Sequence, residues 1–246
     1  MFSKSEFHRM YDDFLECAKS NENLELKNIF KFECGKLSSI AKSYWPNCNI
    51  IYSDLLSKTS RREYSVGGEL LDRGFYCPSP IRDIVTGNCP RGRLYKKLTS
   101  RCRPSYEYYF DENDKLILIH YLYSDCVEFL DYKENTVVGI TFSKTHNNIV
   151  KVVECEYDND GRIVSFIIGR SSYSDCLINE LEKELYFYNN GLEETEIFHY
   201  LCSEQSELLN YEKYKFYHDD EGYLVKYKPV PSMLDLEYKV YVKRRV

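Results

Sequence analysis

One short pattern recurs four times in the second half of the 246-residue chain: aromatic residues, then Asp or Asn, usually Gly, then an aliphatic residue. It stands at Tyr109–Leu116, Glu156–Ile163, Tyr186–Leu192 and Phe216–Leu224. Asn and Asp tolerate the left-handed backbone, and Gly adopts positive φ at no steric cost, so each copy reads as a hairpin turn. A fifth turn is expected at Lys133-Glu134-Asn135. Eighteen of the 24 tyrosines fall from Ser105 onward, and Tyr, Val, Ile and Phe suit half-buried pleated surfaces. The stretch Met233–Lys243 alternates apolar and polar residues with period two, which predicts a strand with one wet face. About ten strands joined by tight turns make an antiparallel meander, because strands adjacent in sequence usually pair. A meander of that length must curl or rest its apolar face on another layer.

The first 104 residues supply such a layer. Ser3 and Glu6 form an S-x-x-E capping box, with Phe2 and Phe7 placed as a hydrophobic staple. Phe7, Met10, Tyr11, Phe14, Leu15 and Ala18 follow at helical spacing, which predicts a helix over residues 4–19. Leu26, Ile29, Phe30, Cys34, Leu37, Ile40, Ala41 and Tyr44 predict a second over residues 24–44, with Gly35 a point of breakage and Pro46 its end. From Asn47 to Pro90 turn residues dominate, with Ser79-Pro80 able to open a short helix. Gly67-Gly68 lacks the Lys-Ser/Thr of a phosphate loop. The expected fold class is therefore α+β: N-terminal helices packed on a large twisted antiparallel β-meander. Residues 1–104 form a helical, loop-rich region and residues 105–246 the acidic meander. No Gly/Ser/Pro-rich linker parts them, so one continuous unit is expected.

Charge divides along the same line. Residues 1–104 carry 18 Lys and Arg against 12 Asp and Glu, and residues 105–246 carry 15 against 27. The acidic half disfavours nucleic acid and favours basic protein surfaces. Arg91, Arg93, Lys96, Lys97, Arg101 and Arg103 form a basic strip that could bind phosphates or simply balance the acidic sheet. No apolar run approaches the ~18 residues of a membrane helix. Charged residues interrupt the N-terminal segment as no secretory signal allows, so a cytoplasmic protein with free thiols is expected. Cys77, Cys89 and Cys102 lack the paired spacing of zinc ligands. The histidines His8, His120, His146, His199 and His218 fall in no ligand motif, and no G-x-S-x-G elbow occurs. No catalytic residue, metal or cofactor is expected.

Tyr-Ser-Asp-Cys occurs at Tyr123–Cys126 and Tyr173–Cys176, and Tyr200-Leu201-Cys202 is a degenerate third copy, so the meander reads as a decayed duplication. Its turns resemble known repeats. Glu156–Ile163 is similar to the Y-D-x-x-G-R-[LI] core of the tyrosine-aspartate repeats of bacterial polymorphic toxins. Tyr186–Leu192 resembles the Y-Y-x-N-G-x-L core of the MORN-like repeats of toxin–antitoxin proteins. The likeness covers short stretches of residues 105–230 and none of residues 1–104. It implies a non-enzymatic bacterial protein of the immunity kind, whose partner is a cognate toxin domain, by expectation a basic nuclease. Charge complementarity then points to Asp111, Glu112, Asp158, Asp160, Asp219, Asp220 and Glu221 as partner-binding residues, with Tyr109, Tyr157 and Tyr217 as anchors. A scaffold protein, a nucleic-acid binder working through residues 91–103, and a hydrolase are the competing readings; a monomer is expected because Lys239, Lys243, Arg244 and Arg245 guard the terminal strand.

Overall fold

The computed structural model describes residues 22–66, 93–99, 102–171, 175–189, 191–202, 207–230 and 238–239. Helix α1 spans Glu22–Tyr44, a single 3-10 turn spans Trp45–Asn47, and helix α2 spans Cys48–Ser57. Strands β1 (Arg61–Val66) and β2 (Arg93–Tyr95) precede an unbroken series: β3 (Tyr106–Phe110), β4 (Leu116–Tyr121), β5 (Cys126–Tyr132), β6 (Thr136–Ser143), β7 (Asn148–Tyr157), β8 (Ile163–Ser171), β9 (Ile178–Tyr188), β10 (Leu192–Cys202), β11 (Glu207–His218), β12 (Leu224–Pro229) and β13 (Tyr238–Lys239). The strand order is β13 through β3 in strict succession, then β1, then β2. Eleven consecutive strands thus form an antiparallel meander, and the protein is α+β as its periodicities predict.

Three features differ from the sequence reading. Gly35 does not break α1, which runs through it. Pro46 ends α1 in the 3-10 turn, but the chain continues at once into α2, where Cys48–Ser57 had read as turn. The sheet also begins before residue 105: β1 pairs with β3 (Arg61 opposite Phe110), and β2, inside the basic strip, pairs with β1. The expected helix over residues 4–19, the Ser79-Pro80 helix and the alternating stretch from Met233, apart from its Tyr238–Lys239 pairing, lie outside the described residues.

Helix α1 crosses the strands. Phe30, Cys34, Leu37 and Ala41, spaced by four, three and four, form one buried stripe. Phe30 meets Phe198 and Tyr200 of β10, with ring centroids 5.4 and 5.8 Å apart. Tyr44, at the far end, meets Phe129 of β5 at 5.6 Å and donates its hydroxyl to Asp131. Between them, Ser38 Oγ accepts the Ile178 N–H at 2.9 Å, and Lys183 pairs with Glu33 at 2.8 Å. Gly169 on β8 permits this approach: a Cβ there would lie 2.6 Å from Ile178 and 2.7 Å from Leu37. Each fully buried Phe or Leu of such a stripe contributes roughly 1.5–3 kcal/mol.

The face away from α1 is buried as well. Tyr108, Val153, Cys155, Phe166, Ile168 and Leu192 form its core. Charged groups share that face: Lys151 donates to the Tyr121 hydroxyl at 2.8 Å, and Tyr121 donates to Glu128 at 2.6 Å. Both faces of the central strands are therefore interior, which accounts for unbroken buried runs such as Leu116–Ile119 and Val137–Ser143.

Candidate binding site at the turn rim

A meander places alternate turns at opposite ends of its strands. The turns after β3, β5, β7, β9 and β11 therefore share one rim: residues 111–115, 133–135, 158–162, 189–191 and 219–223. Strands lie about 4.8 Å apart, so neighbouring turns on this rim stand about 10 Å apart. These are the five turns that the sequence reading marked.

Three of them are built alike. Asp111, Asp158 and Asp219 each donate a backbone N–H to the carbonyl four residues on, at 2.9, 2.8 and 2.9 Å. Each carboxylate Oδ1 accepts two backbone N–H groups, from the second and fourth residues after it, at 2.8–3.0 Å. The third residue after each takes the left-handed conformation: Asp114 (φ 62), Gly161 (φ 75) and Gly222 (φ 79). A register shift precedes each turn, at Tyr109/Phe110, Glu156/Tyr157 and Tyr217/His218. The three turns follow β3, β7 and β11, so this turn geometry recurs every four strands. Tyr173 and Ser174 of the second Tyr-Ser-Asp-Cys copy lie outside the described residues, while the first copy stands on the turn after β4 at the opposite rim. There Asp125 accepts from Ser143 Oγ at 2.6 Å and the Thr145 N–H at 2.8 Å, which hold its carboxyl well below the usual carboxylate range.

Cations and rings tie the rim together. Lys115, just past the first Asp turn, stands 3.9 Å from the Tyr132 ring centroid, before the second turn. Arg162, just past the third turn, stands 5.0 Å from that of Tyr188, before the fourth. The two contacts are equivalent under the four-strand period, and such contacts are worth about 0.5–1 kcal/mol at exposed sites. A groove of about 670 Å³ opens between the second and third turns, lined by Tyr132, Lys133, Glu134, Tyr157, Asp158 and Asn159 among others.

The seven acidic residues singled out from sequence thus share one rim, in two roles. Asp111, Asp158 and Asp219 hold the turns. Asp158 is further paired with Arg162 at 2.7 Å, and the turn amides and this cation hold its carboxyl low. Asp160 also pairs with Arg162, at 3.0 Å. Glu112, Asp220 and Glu221 are exposed at the turn tips. The three tyrosines do not share a surface. Tyr157 is half-buried in the groove. Tyr217 lies beneath Lys226 and Lys228, whose ammonium groups stand 4.5 and 5.7 Å from its ring centre, so its surroundings are basic. Tyr109 is buried beside α2 at 3% exposure and cannot anchor a partner, a correction to its expected role.

Tyr109 belongs to a cluster with no signature in sequence, since its members come from β1, β3, β4 and α2. Its hydroxyl donates to Glu107 Oε2 at 2.7 Å and lies 3.0 Å from His120 Nδ1. The single hydroxyl proton goes to the carboxylate, so Nδ1 carries the imidazole proton and donates to the tyrosine oxygen. Nε2 is then a buried acceptor with no hydrogen-bond partner among the described residues. Tyr52 of α2 packs on the imidazole at 5.6 Å, and Arg62 sits over Tyr109 at 4.9 Å. Burial, then the nearby Lys144 charge, lowers His120 to about 4, so the ring is neutral at pH 7. A desolvated His beside a carboxylate is the geometry of a general base, but its open lone pair is enclosed, and no reactant reaches it without the α2 junction opening.

Of the basic strip, Lys96, Lys97 and Arg103 are exposed beside β2, while Arg91 and Arg101 lie outside the described residues. Among the described residues no group of three or more His, Cys, Asp or Glu is placed to hold a metal ion, and no helix is long and apolar enough to cross a membrane. No protein-family model matches this chain, and no curated protein is significantly similar to it.

Proposed function

We propose that this is a non-enzymatic, cytoplasmic immunity-type protein that binds and neutralises a basic bacterial toxin domain through the acidic turn rim. The observation that carries the reading is the collection of Asp111, Glu112, Asp158, Asp160, Asp219, Asp220 and Glu221 on one rim of one sheet. The turn aspartates and the cation–ring contacts fix the rim's shape, and a rigid rim loses little entropy on binding. The exposed tips Glu112, Asp220 and Glu221 supply the field that steers a basic partner. The right-handed twist common to all sheets turns successive tips about the strand normal, so the rim offers a curved row of charges. The pairing of β1 with β3 supports treating both halves of the chain as one unit; that unit being a monomer when free is part of the same proposal. The test is affinity capture from the native host at low and moderate salt, beside the variant Glu112→Lys/Asp220→Lys/Glu221→Lys. One basic partner, weakened by salt and lost with the variant, supports the proposal. Capture of the same proteins by both forms, or of housekeeping proteins alone, overturns it.

A further inference from the structure

A second place in the molecule carries chemistry that the rim does not use. Phe30 on α1 stacks on Tyr200 of β10 at 5.8 Å. Four residues along the helix and two along the strand stand Cys34 and Cys202. Four helical residues advance about 6 Å and two strand residues about 6.6 Å, and both steps return to the same face. Each thiol therefore faces the same helix–sheet layer as the Phe30–Tyr200 contact. Both pack in the helix-side core and both line one cavity of about 550 Å³, with Ser38, Ile178, Asn179 and Tyr200. Both are free thiols; Cys34 is buried and Cys202 half-exposed. Burial, then the charge of a Cys202 thiolate close by, pushes the Cys34 thiol up to about 12. A small disulfide therefore meets Cys202 first.

We propose that Cys34 and Cys202 are a redox-closable thiol pair that tethers α1 to β10, with a low-molecular-weight disulfide such as oxidised glutathione as oxidant. The Cys202 thiolate attacks one glutathione sulfur, the glutathione S–S bond breaks, and one glutathione thiolate leaves. Cys34 then gives its proton to water and attacks the Cys202 sulfur of the mixed disulfide, and the second glutathione thiolate leaves. Both glutathione thiolates take up protons. Two protein thiols are oxidised to one disulfide, and one oxidised glutathione is reduced to two thiols. A disulfide needs its Cα atoms about 4.4–6.8 Å apart, so closure would hold α1 and β10 at that spacing across the cavity they line.

The full-length native protein is equilibrated with oxidised glutathione, the remaining thiols are blocked with iodoacetamide, and peptides are mapped by mass spectrometry without reductant. The expected product is a Cys34–Cys202 cross-linked peptide, from a protein whose intact mass before alkylation is about 2 Da below the reduced form through two lost hydrogens. The variant Cys34→Ser should stop at the mixed disulfide on Cys202, and Cys202→Ser should leave Cys34 reduced. Because either serine could loosen the junction, the circular dichroism and Tm of each variant are compared with the parent under reductant. A folded parent that gains only glutathione on Cys202, or in which both thiols are alkylated after oxidation, overturns the proposal. So does cross-linking of other cysteines in preference to this pair.

Discussion

The turn rim and the α2–sheet junction use the same side-chain types under different physics. At the rim, Asp219 accepts two amides from its own next four residues, and water surrounds the rest. At the junction, Glu107, Tyr109, His120 and Tyr52 meet from three elements, largely out of water, with the exposed Arg62 of β1 over the Tyr109 ring. Losing one group at the rim removes a local bond that solvent partly replaces. Losing one at the junction leaves buried partners stranded. The rim should tolerate substitution, and so is free to carry recognition; the junction should not.

The largest expected contrast follows directly. Tyr109→Ala removes a buried ring and the hydroxyl that joins Glu107 to His120, and should destabilise by about 3–5 kcal/mol in urea unfolding. Tyr109→Phe keeps the ring and removes only the hydroxyl, at about 1–3 kcal/mol. A loss below about 0.5 kcal/mol for Tyr109→Phe would mean that the hydrogen bonds of the junction contribute nothing net.

Acid should strike His120 of the junction before the turn aspartates of the rim, where His218, also lowered by burial, adds to the same window. His120 is lowered from 6.5 to about 4, so the native state binds fewer protons than the unfolded chain between those values. The stabilisation is full above about pH 6.5 and is lost as pH falls toward 4, by about 3 kcal/mol in all. Asp158 is held below its ordinary 3.8, so its contribution persists through that window and fades only at more acid pH. Stability measured from pH 7 to 4 should slope downward in the parent and flatten in His120→Gln. An unchanged slope in the variant would assign the acid sensitivity to another group.

The same contrast decides what could be read in advance. The five rim turns were legible because each is written in consecutive residues, as in Tyr157-Asp158-Asn159-Asp160-Gly161-Arg162. The meander followed from them, and with it the shared rim. Helix α2 was hidden behind Pro46, whose restriction on the preceding residue reads equally as the end of helix and as a 3-10 corner between two helices. Strand β1 was hidden by Arg61, Arg62 and Glu63, charges that look like loop; Arg61 pairs with Glu63 beside it and with Asp114, and Arg62 pairs across to Glu107 on β3. Tyr109 shows the limit most clearly. It stands two residues before its turn Asp with a register shift beside it, as Tyr217 does, and one residue farther from it than Tyr157, yet of the three only Tyr109 lies in the core beneath α2. No residue local to it encodes that helix.

Within the rim, turn-holding and tip acids should separate. Asp219→Ala removes the acceptor of two amides and should cost about 1 kcal/mol, the size of a lost helix cap, which has the same geometry. Asp219→Asn keeps one acceptor oxygen and should recover most of that loss while removing the charge. If Asn is as damaging as Ala, the carboxylate charge and not its geometry holds the turn.

The smallest effect on stability should accompany the largest on binding. Glu112 and Asp220 are exposed at turn tips, and reversing either to Lys should change stability by no more than about 0.5 kcal/mol. Each reversal alters the rim's field by two charges at a point where the proposed partner would approach. Its effect should fall on the association rate and weaken as ionic strength rises. Stopped-flow association of the captured partner with parent, Glu112→Lys and Asp219→Asn would place the two classes side by side. A slowing confined to Asp219→Asn would move recognition from the tips to the turn cores. A slowing in Glu112→Lys that salt abolishes, with unfolding midpoints unchanged, would keep recognition at the exposed tips.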